Sequence, residues 1–328
     1  MMRAFVTGAA GFVGSHLTEL LLDRGREVFG LILDRRDAGN LTDALAGAHA
    51  SHLHLIEGDL LEASFLAGAV REIRPDEVYH LAAQPSVRQS TADPAGTFRI
   101  NVLGTQGLLE AVREASGRSR VLYVGSAEAY GESARLGGSL SEERPLLPVT
   151  PYGSSKAAAE QVACRYGAEY GLAVVRVRPF PHTGPRHASN FVYPDLAKQL
   201  CEVRAGYRPP RLLVGNLEVR RDLSDVRDVV VAYVLALERG EPGAAYNVCC
   251  GRTTSVREVL DRLIGLSGLT VEVAVETDRL RSHELGVLSG NAQALRARTG
   301  WSPQISLETT LRDLLSYWQA RCGAMERG

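Results

Sequence analysis

Along the first two-thirds of the chain, apolar positions follow two alternating rhythms. Short, nearly continuous runs, RAFVTG (3–8), EVFGLIL (27–33), HLHLIEGD (52–59), VYHLAA (78–83), RVLYVGS (120–126) and AVVRVRP (173–179), alternate with helical patterns such as SHLTELLLDRG (15–25). Runs rich in Val, Ile, Leu and Tyr without polar alternation read as strands buried on both faces. Strands alternating with helices read as a parallel sheet wrapped on both sides. The rhythm therefore predicts a doubly wound parallel α/β sheet, with right-handed crossovers leaving little choice of topology.

After Pro179 the pattern changes to turn-rich sequence, PFPHTGPRHASNF (179–191), followed by a helix from Tyr193 to Gly206 and a proline-rich loop at 207–216. The run DVRDVVVAYVLALERG (225–240) has helical spacing with Asp225 as its N-cap, and AAYNVCC (244–250) reads as a buried strand. Both are expected to return to the first unit. The tail adds a helix at 254–268, an isolated strand TVEVAV (270–275) and a final helix at 307–321. The expected division is a first domain at 1–178 joined by 225–249, and a smaller lobe from 179–224 and 250–328.

A chain of 328 residues, 45% hydrophobic, is long enough for a sizeable core. Its 37 Lys and Arg nearly balance 38 Asp and Glu, so no global field draws in nucleic acid or an anionic membrane. An anionic ligand has to be held by local arginines. Five scattered cysteines have neither CxxC nor Cys/His spacing, which argues against a disulfide framework or a metal site and fits a reducing cytoplasm. Neither a signal peptide nor a membrane span is expected.

The first strand runs into TGAAGFVG (7–14) and then a helix. Gly8 permits a tight turn, Gly11 lets backbone N–H groups of the Phe12–Val13 turn approach a pyrophosphate, and Gly14 lets helix and strand pack closely. With strand and helix both in place, this is a Rossmann-type dinucleotide site. An acid for the adenosine ribose normally ends the second strand. Here that place falls near Ile32, with Asp34, Arg35 and Arg36 just beyond. Two arginines without that acid favour the 2′-phosphate of NADP, while Asp34 leaves NAD open, and the arginines read equally well as solvated loop charges. Asp59 and Leu60, and the run Leu81, Ala82 and Ala83, lie at strand ends on the same edge of the sheet.

Ser126 ends the fifth strand, and Tyr152 and Lys156 stand four apart at the start of a helix, on one face. An ammonium beside a phenol lowers its pKa, so Tyr152 is expected to move protons near neutral pH, with Ser126 bonding the same substrate oxygen. Together with a nicotinamide, this set suits the interconversion of a carbinol and a carbonyl.

TGAAGFVG, VGSAEAYG (124–131), PYGSSK and RPFPHTGP together resemble the extended short-chain dehydrogenase/reductases, the branch of nucleotide-sugar epimerases, dehydratases and reductases. The C-terminal runs NFVYPDLAKQ (190–199), VGNLEVRRDLSDVRDVV (214–230), LRSHELGVLSGN (280–291) and TGWSPQISLETTL (299–311) resemble GDP-4-keto-6-deoxy-D-mannose reductases, then GDP-mannose 4,6-dehydratases. The resemblance implies a smaller C-terminal nucleotide-sugar-binding lobe and a homodimer built from two helices per subunit. It implies Ser126, Tyr152 and Lys156 as the catalytic set, and Glu128 as the residue dehydratases use as a base. Arg221 and Arg281 match diphosphate-binding arginines, and Glu284 an acid that takes ribose hydroxyls. Ser86 and Arg88 are expected to face the hexose, and Asn190 to join the substrate site.

The chain also departs from the pattern. Pro181 stands where the family usually has an asparagine that contacts the nucleotide sugar, and Ser282 where a proline is typical. His182 and His187 lie on the same loop and read as surface residues rather than catalysts. The apolar GFVG, unlike the polar loop of the dehydratases, shifts weight to a reductase of a C4 ketone. A dehydratase or C4 epimerase with retained cofactor remains the second reading, and a non-catalytic NADP-binding regulator the third.

Overall fold

A computed structural model describes residues 1–115, 118–280 and 284–325. The six apolar runs form β1 (Arg3–Thr7), β2 (Glu27–Ile32), β3 (Leu53–Glu57), β4 (Glu77–His80), β5 (Arg120–Val124) and β6 (Ala173–Pro179). Short strands β7 (His182–Thr183), β8 (Arg211–Val214), β9 (Arg220–Asp222) and β10 (Ser224–Asp225) follow. Then come β11 (Ala245–Val248), β12 (Thr253–Ser255), β13 (Glu272–Val275) and β14 (Val287–Leu288). Seven strands make one parallel sheet in the order β11-β6-β5-β4-β1-β2-β3. The winding reverses between β1 and β4, and the crevice outside the carboxyl ends there is where such sheets take ligands.

Strand periodicity explains why these runs lack polar alternation. Ala4 and Val6 enter one buried cluster and Phe5 the other; Leu122 enters the first, Val121 and Tyr123 the second. Helices Phe12–Asp23 and Val226–Arg239 cover the first face. Helices Ala63–Ile73, Gly104–Ala115 and Pro151–Tyr170 cover the second. With both faces buried, inner positions are mostly apolar, and the buried charges Glu77 and Arg178 are paired with Arg26 and Glu160.

A third cluster unites helices Val192–Arg204, Val256–Ser267 and Leu307–Met325 with β8. Asp225 caps helix Val226–Arg239 as expected, accepting from the Arg227 N–H at 2.8 Å. The strand expected to be isolated is not: β13 pairs in parallel with β8, from Glu272 opposite Arg211 to Val275 opposite Val214. Only a tertiary partner gives such a strand its ladder, and the two runs are some sixty residues apart. No helix among the described residues is long and apolar enough to cross a membrane.

Candidate active site

The glycine loop is shaped by contacts with neighbouring strand ends. Gly8, at φ +72°, donates its N–H to the Leu31 carbonyl at 3.0 Å, and a Cβ there would lie 3.0 Å from the Ala82 nitrogen. A Cβ on Gly14 would stand 2.0 Å from the Gly8 carbonyl oxygen, so helix and loop meet only because both residues are glycine. Helix Phe12–Asp23 begins after Gly11 with no side-chain cap, which leaves the first N–H groups, at Phe12 and Val13, available to an anion. A dinucleotide phosphate fits this cradle.

Around it, the expected cofactor residues divide. Leu81, Ala82 and Ala83 follow β4, and the Ala82 N–H donates to Thr7 Oγ1 at 3.1 Å, which draws that strand end against Gly8. Leu60 is buried against Gly104, and Asp59 accepts from the Leu61 N–H at 2.9 Å, tightening its own turn. Beyond β2, Arg36 folds onto Asp34, with Nε 2.8 Å from Oδ2, and holds that carboxyl below its ordinary range. Arg35 donates to the Leu55 carbonyl at 3.1 Å.

Ser126, Glu128, Tyr152 and Lys156 converge at the carboxyl end of β5. Ser126 caps the turn Ala127–Tyr130, its Oγ accepting from the Glu128 N–H at 3.2 Å. Helix Pro151–Tyr170 starts with Thr150 accepting from the Gly153 N–H at 3.0 Å and with proline at its first position. A Cβ on Gly153 would lie 2.7 Å from the Glu128 carbonyl oxygen, so this glycine lets the helix press against the turn. The result is a Tyr152 phenol set beside Ser126, whose hydroxyl acts directly on it.

Burial pushes the Tyr152 phenol up to about 12; the Ser126 hydroxyl opposes this and the Glu128 carboxylate adds to it. The expectation that Lys156 lowers this phenol is therefore corrected. The Lys156 ammonium donates to the Val124 carbonyl at 2.6 Å, and burial draws it down to about 8 against the pull of Glu160. Desolvation, which spacing along a helix does not report, outweighs proximity.

A supporting chain of polar groups went unseen in the sequence. Thr105 donates to the Asn101 carbonyl at 2.6 Å, so its oxygen accepts from His80 Nε2 at 2.9 Å, and His80 Nδ1 then accepts from the Thr7 hydroxyl at 2.9 Å. Burial, with Lys156 nearby, holds His80 neutral, its pKa lowered to about 3. The Asn101 side chain accepts from the Gln84 N–H at 2.8 Å and donates to Ser155 Oγ at 2.9 Å, and Ser155 donates to the Tyr152 carbonyl at 2.8 Å. Asn101 lies in a π-helical stretch, Arg99–Leu103, of the kind found frequently at functional sites. The available signal was Asn, Gly and Thr within a helical run at 101–105. Tyr130 serves structure: it donates to Asn247 Oδ1 at 2.8 Å and accepts from Arg178 at 2.9 Å.

On the smaller lobe, Arg221 and Glu284 are brought within 4.0 Å, and Arg221 also donates to the Leu285 carbonyl at 2.8 Å. Arg281 and Ser282 lie outside the described residues. Ser86 caps helix Val87–Ala92, on which Arg88 is exposed, and Asn190 is exposed before helix Val192–Arg204. Pro181 accepts from the Ser224 N–H through its carbonyl at 3.0 Å. The two loop histidines are not surface residues: His187 is buried with its ring stacked on Phe12 at 4.2 Å, and His182 is half-buried beside it. Arg186 ties the loop to the glycine-loop helix through Glu19 at 2.8 Å. Among the described residues, no group of His, Cys, Asp or Glu is arranged to hold a metal ion.

The family model described as GDP-mannose 4,6 dehydratase matches residues 5–314. The chain is 36% identical to the GDP-6-deoxy-D-mannose reductase of Pseudomonas aeruginosa over 322 residues, covering 97% of this chain and 98% of that protein. It is 35% identical to GDP-mannose 4,6 dehydratase 1 of Arabidopsis thaliana, covering 94% of this chain and 87% of that protein. Its fold is similar to that of RMD from Pseudomonas aeruginosa complexed with NADPH, with a TM-score of 0.83, 35% identity, and coverage of 98% of this chain and 100% of that one. With a family model and relatives matched over nearly its full length, the chain belongs to the GDP-mannose 4,6-dehydratase family of extended short-chain dehydrogenase/reductases and is an enzyme of nucleotide-sugar chemistry.

Proposed function

We propose that this enzyme reduces the C4 ketone of a GDP-linked 4-keto-6-deoxyhexose, with NADPH as the preferred cofactor and NADH as the alternative. The observation that carries this reading is the convergence of Ser126, Tyr152 and Lys156 at the carboxyl end of β5, with Lys156 Nζ tied to the Val124 carbonyl at 2.6 Å and burial keeping the Tyr152 phenol protonated. A group that keeps its proton at neutral pH is suited to give it to an oxygen becoming an alkoxide. The bound cofactor supplies a hydride to C4. Tyr152 gives its proton to O4, Ser126 holds that oxygen by a second hydrogen bond, and Lys156 keeps a positive charge nearby. The 36% identity to a GDP-6-deoxy-D-mannose reductase and the apolar GFVG loop support the same direction.

In this reading, 1–178 with 225–249 binds the cofactor, and 179–224 with 250–328 binds the nucleotide sugar. Arg221 grips the diphosphate, with Arg281 as its second guanidinium, and Glu284 accepts from ribose hydroxyls. Ser86, Arg88 and Asn190 border the hexose. A homodimer belongs to the proposal: Phe98 and Leu103 are exposed along the helical stretch packed on helix Pro151–Tyr170, and a second copy would cover them.

Glu128 supports a second reading, 4,6-dehydration, because its carboxylate acts directly on Tyr152 and a base is needed there to take a carbon-bound proton. Incubation with GDP-mannose, its 4-keto-6-deoxy derivative and UDP-glucose, with and without NADPH, separates the two. Oxidation of NADPH with the keto sugar alone is expected. Loss of water from GDP-mannose without added cofactor refutes the reductase.

A further inference from the structure

Lys156 and Lys198 are the only two lysines of the chain. Lys156 is buried, and an ammonium withdrawn from water needs compensation. Among the described residues, Glu160, four residues on, is the carboxylate acting in its favour, and it is shared with Arg176 at 2.9 Å and Arg178 at 2.7 Å. Among the described residues, the titratable groups packed against it on β4, β5 and its own helix before Glu160 carry no compensating charge, and the Glu128 carboxylate acts on Tyr152. His80 on β4 is neutral, and the phenols of Tyr123 on β5 and Tyr152 on its own helix are held un-ionised by burial.

Two contacts remain. One is the Val124 carbonyl. The other is the face of the Tyr123 ring, whose centroid lies 5.1 Å from Nζ. The Tyr123 hydroxyl also donates to the Lys156 carbonyl at 3.0 Å. One side chain therefore engages both the backbone of the lysine and the charge at its tip. An ammonium within about 6 Å of a ring centroid is attracted to the negative face of the ring, and more strongly where water is excluded.

We propose that Tyr123 is a positioning residue of the active site: its ring face carries the Lys156 ammonium, and its hydroxyl, bonded to the lysine backbone, fixes the ring in place for that task. The proposal extends the reading of Lys156 as part of the reductase site, yet its central test needs neither substrate nor cofactor. With only two lysines, ¹³C,¹⁵N-lysine labelling gives two ε-methylene signals, and Lys198, paired with Glu202 at 3.2 Å on the surface, is an internal reference.

The pH titration of the Lys156 signal is followed in Tyr123→Phe and in variants carrying phenylalanine with increasing ring fluorination at position 123, which preserve shape while removing the negative face. Tyr123→Phe keeps the ring face but loses its tether, and is expected to lower the Lys156 midpoint by less than the fluorinated rings do. Stepwise fluorination lowers the Lys156 midpoint, by about one pH unit in the pentafluoro variant, and leaves Lys198 unmoved. A Lys156 midpoint indifferent to fluorination overturns the proposal. In the same variants the alkaline limb of NADPH-dependent ketone reduction is expected to move with the midpoint. A limb that stays fixed while the midpoint moves reduces Tyr123 to a structural role and also overturns it. If the keto sugar is not reduced at all, the titration still responds, so failure of the reductase reading is distinct from failure of this one.

Discussion

The Lys156 ammonium donates to the Val124 carbonyl at 2.6 Å, while the phenol one helical turn earlier, Tyr152, stands beside Ser126. The lysine therefore anchors to the sheet and does not strip the tyrosine of its proton. With its pKa near 12, Tyr152 remains a proton donor throughout the neutral range. Tyr152→Phe is expected to lower kcat for the keto sugar by a factor of roughly a hundred to ten thousand, the usual worth of a positioned acid, with KM changing a few-fold. Steady-state rates with NADPH provide the measurement, and an unchanged kcat removes Tyr152 from the mechanism.

Glu128→Gln distinguishes the two reactions considered for this site. The carboxylate raises the Tyr152 phenol, so the variant is expected to retain ketone reduction within several-fold while the phenol titrates at lower pH. Dehydration needs a base to remove a carbon-bound proton and is expected to collapse. Product mass from GDP-mannose and from the keto sugar, assayed side by side, checks both arms; loss of reduction as severe as in Tyr152→Phe contradicts the first.

The cofactor cradle predicts a sharp difference between glycines. A Cβ on Gly14 meets the Gly8 carbonyl at 2.0 Å, whereas one on Gly39 meets nothing within 4 Å. Gly14→Ala forces the backbone apart, and overpacking of this kind costs about 1–3 kcal/mol. Its NADPH affinity is expected to fall at least about tenfold, the equivalent of 1.4 kcal/mol. Gly39→Ala should bind and unfold like the wild type. Calorimetric titration with NADPH and urea unfolding test the pair.

The parts of the site that were legible in the sequence are those built from neighbours along the chain. The glycine loop, the strand ending at Ser126 and the Tyr152–Lys156 face each follow from local pattern and backbone geometry. Legibility ended where burial decides. The Thr7, His80, Thr105 and Asn101 chain joins two strand ends to a helix, and its histidine looked like any other polar residue at a strand end. His182 and His187 were read as solvated because nothing in the loop itself announced Phe12 as their partner. The pairing of β13 with β8 was hidden for the same reason.

Those buried histidines make stability depend on acid. His80 and His187 have pKa values lowered to about 3 by burial, against an ordinary 6.5. Below pH 6.5 the unfolded chain takes up protons that the folded chain refuses until about pH 3, so stability is intact above 6.5 and falls as pH drops towards 3. Each such histidine adds a slope of up to about 1.4 kcal/mol per pH unit. Urea midpoints between pH 7 and pH 4.5 are expected to fall steeply in the wild type and less steeply in His187→Gln. Equal slopes would place His187 in water.

Two buried tyrosines are expected to respond oppositely to loss of the hydroxyl. Tyr193, beside Arg221 and Glu284, has a buried hydroxyl with no hydrogen-bond partner among the described residues, and burial pushes it up to about 12. Tyr193→Phe removes an unsatisfied polar atom and is expected to leave the free enzyme as stable as before, or more stable by up to about 1 kcal/mol. Tyr130→Phe breaks the bonds to Asn247 and Arg178 and leaves both partners buried, at a cost of about 1–3 kcal/mol. Urea unfolding of the two variants under one condition makes the comparison. A destabilised Tyr193→Phe would mean that its hydroxyl has a partner in the folded chain, and a neutral Tyr130→Phe would mean that Glu160, at 2.7 Å, and the Glu142 carbonyl, at 2.9 Å, suffice to hold Arg178.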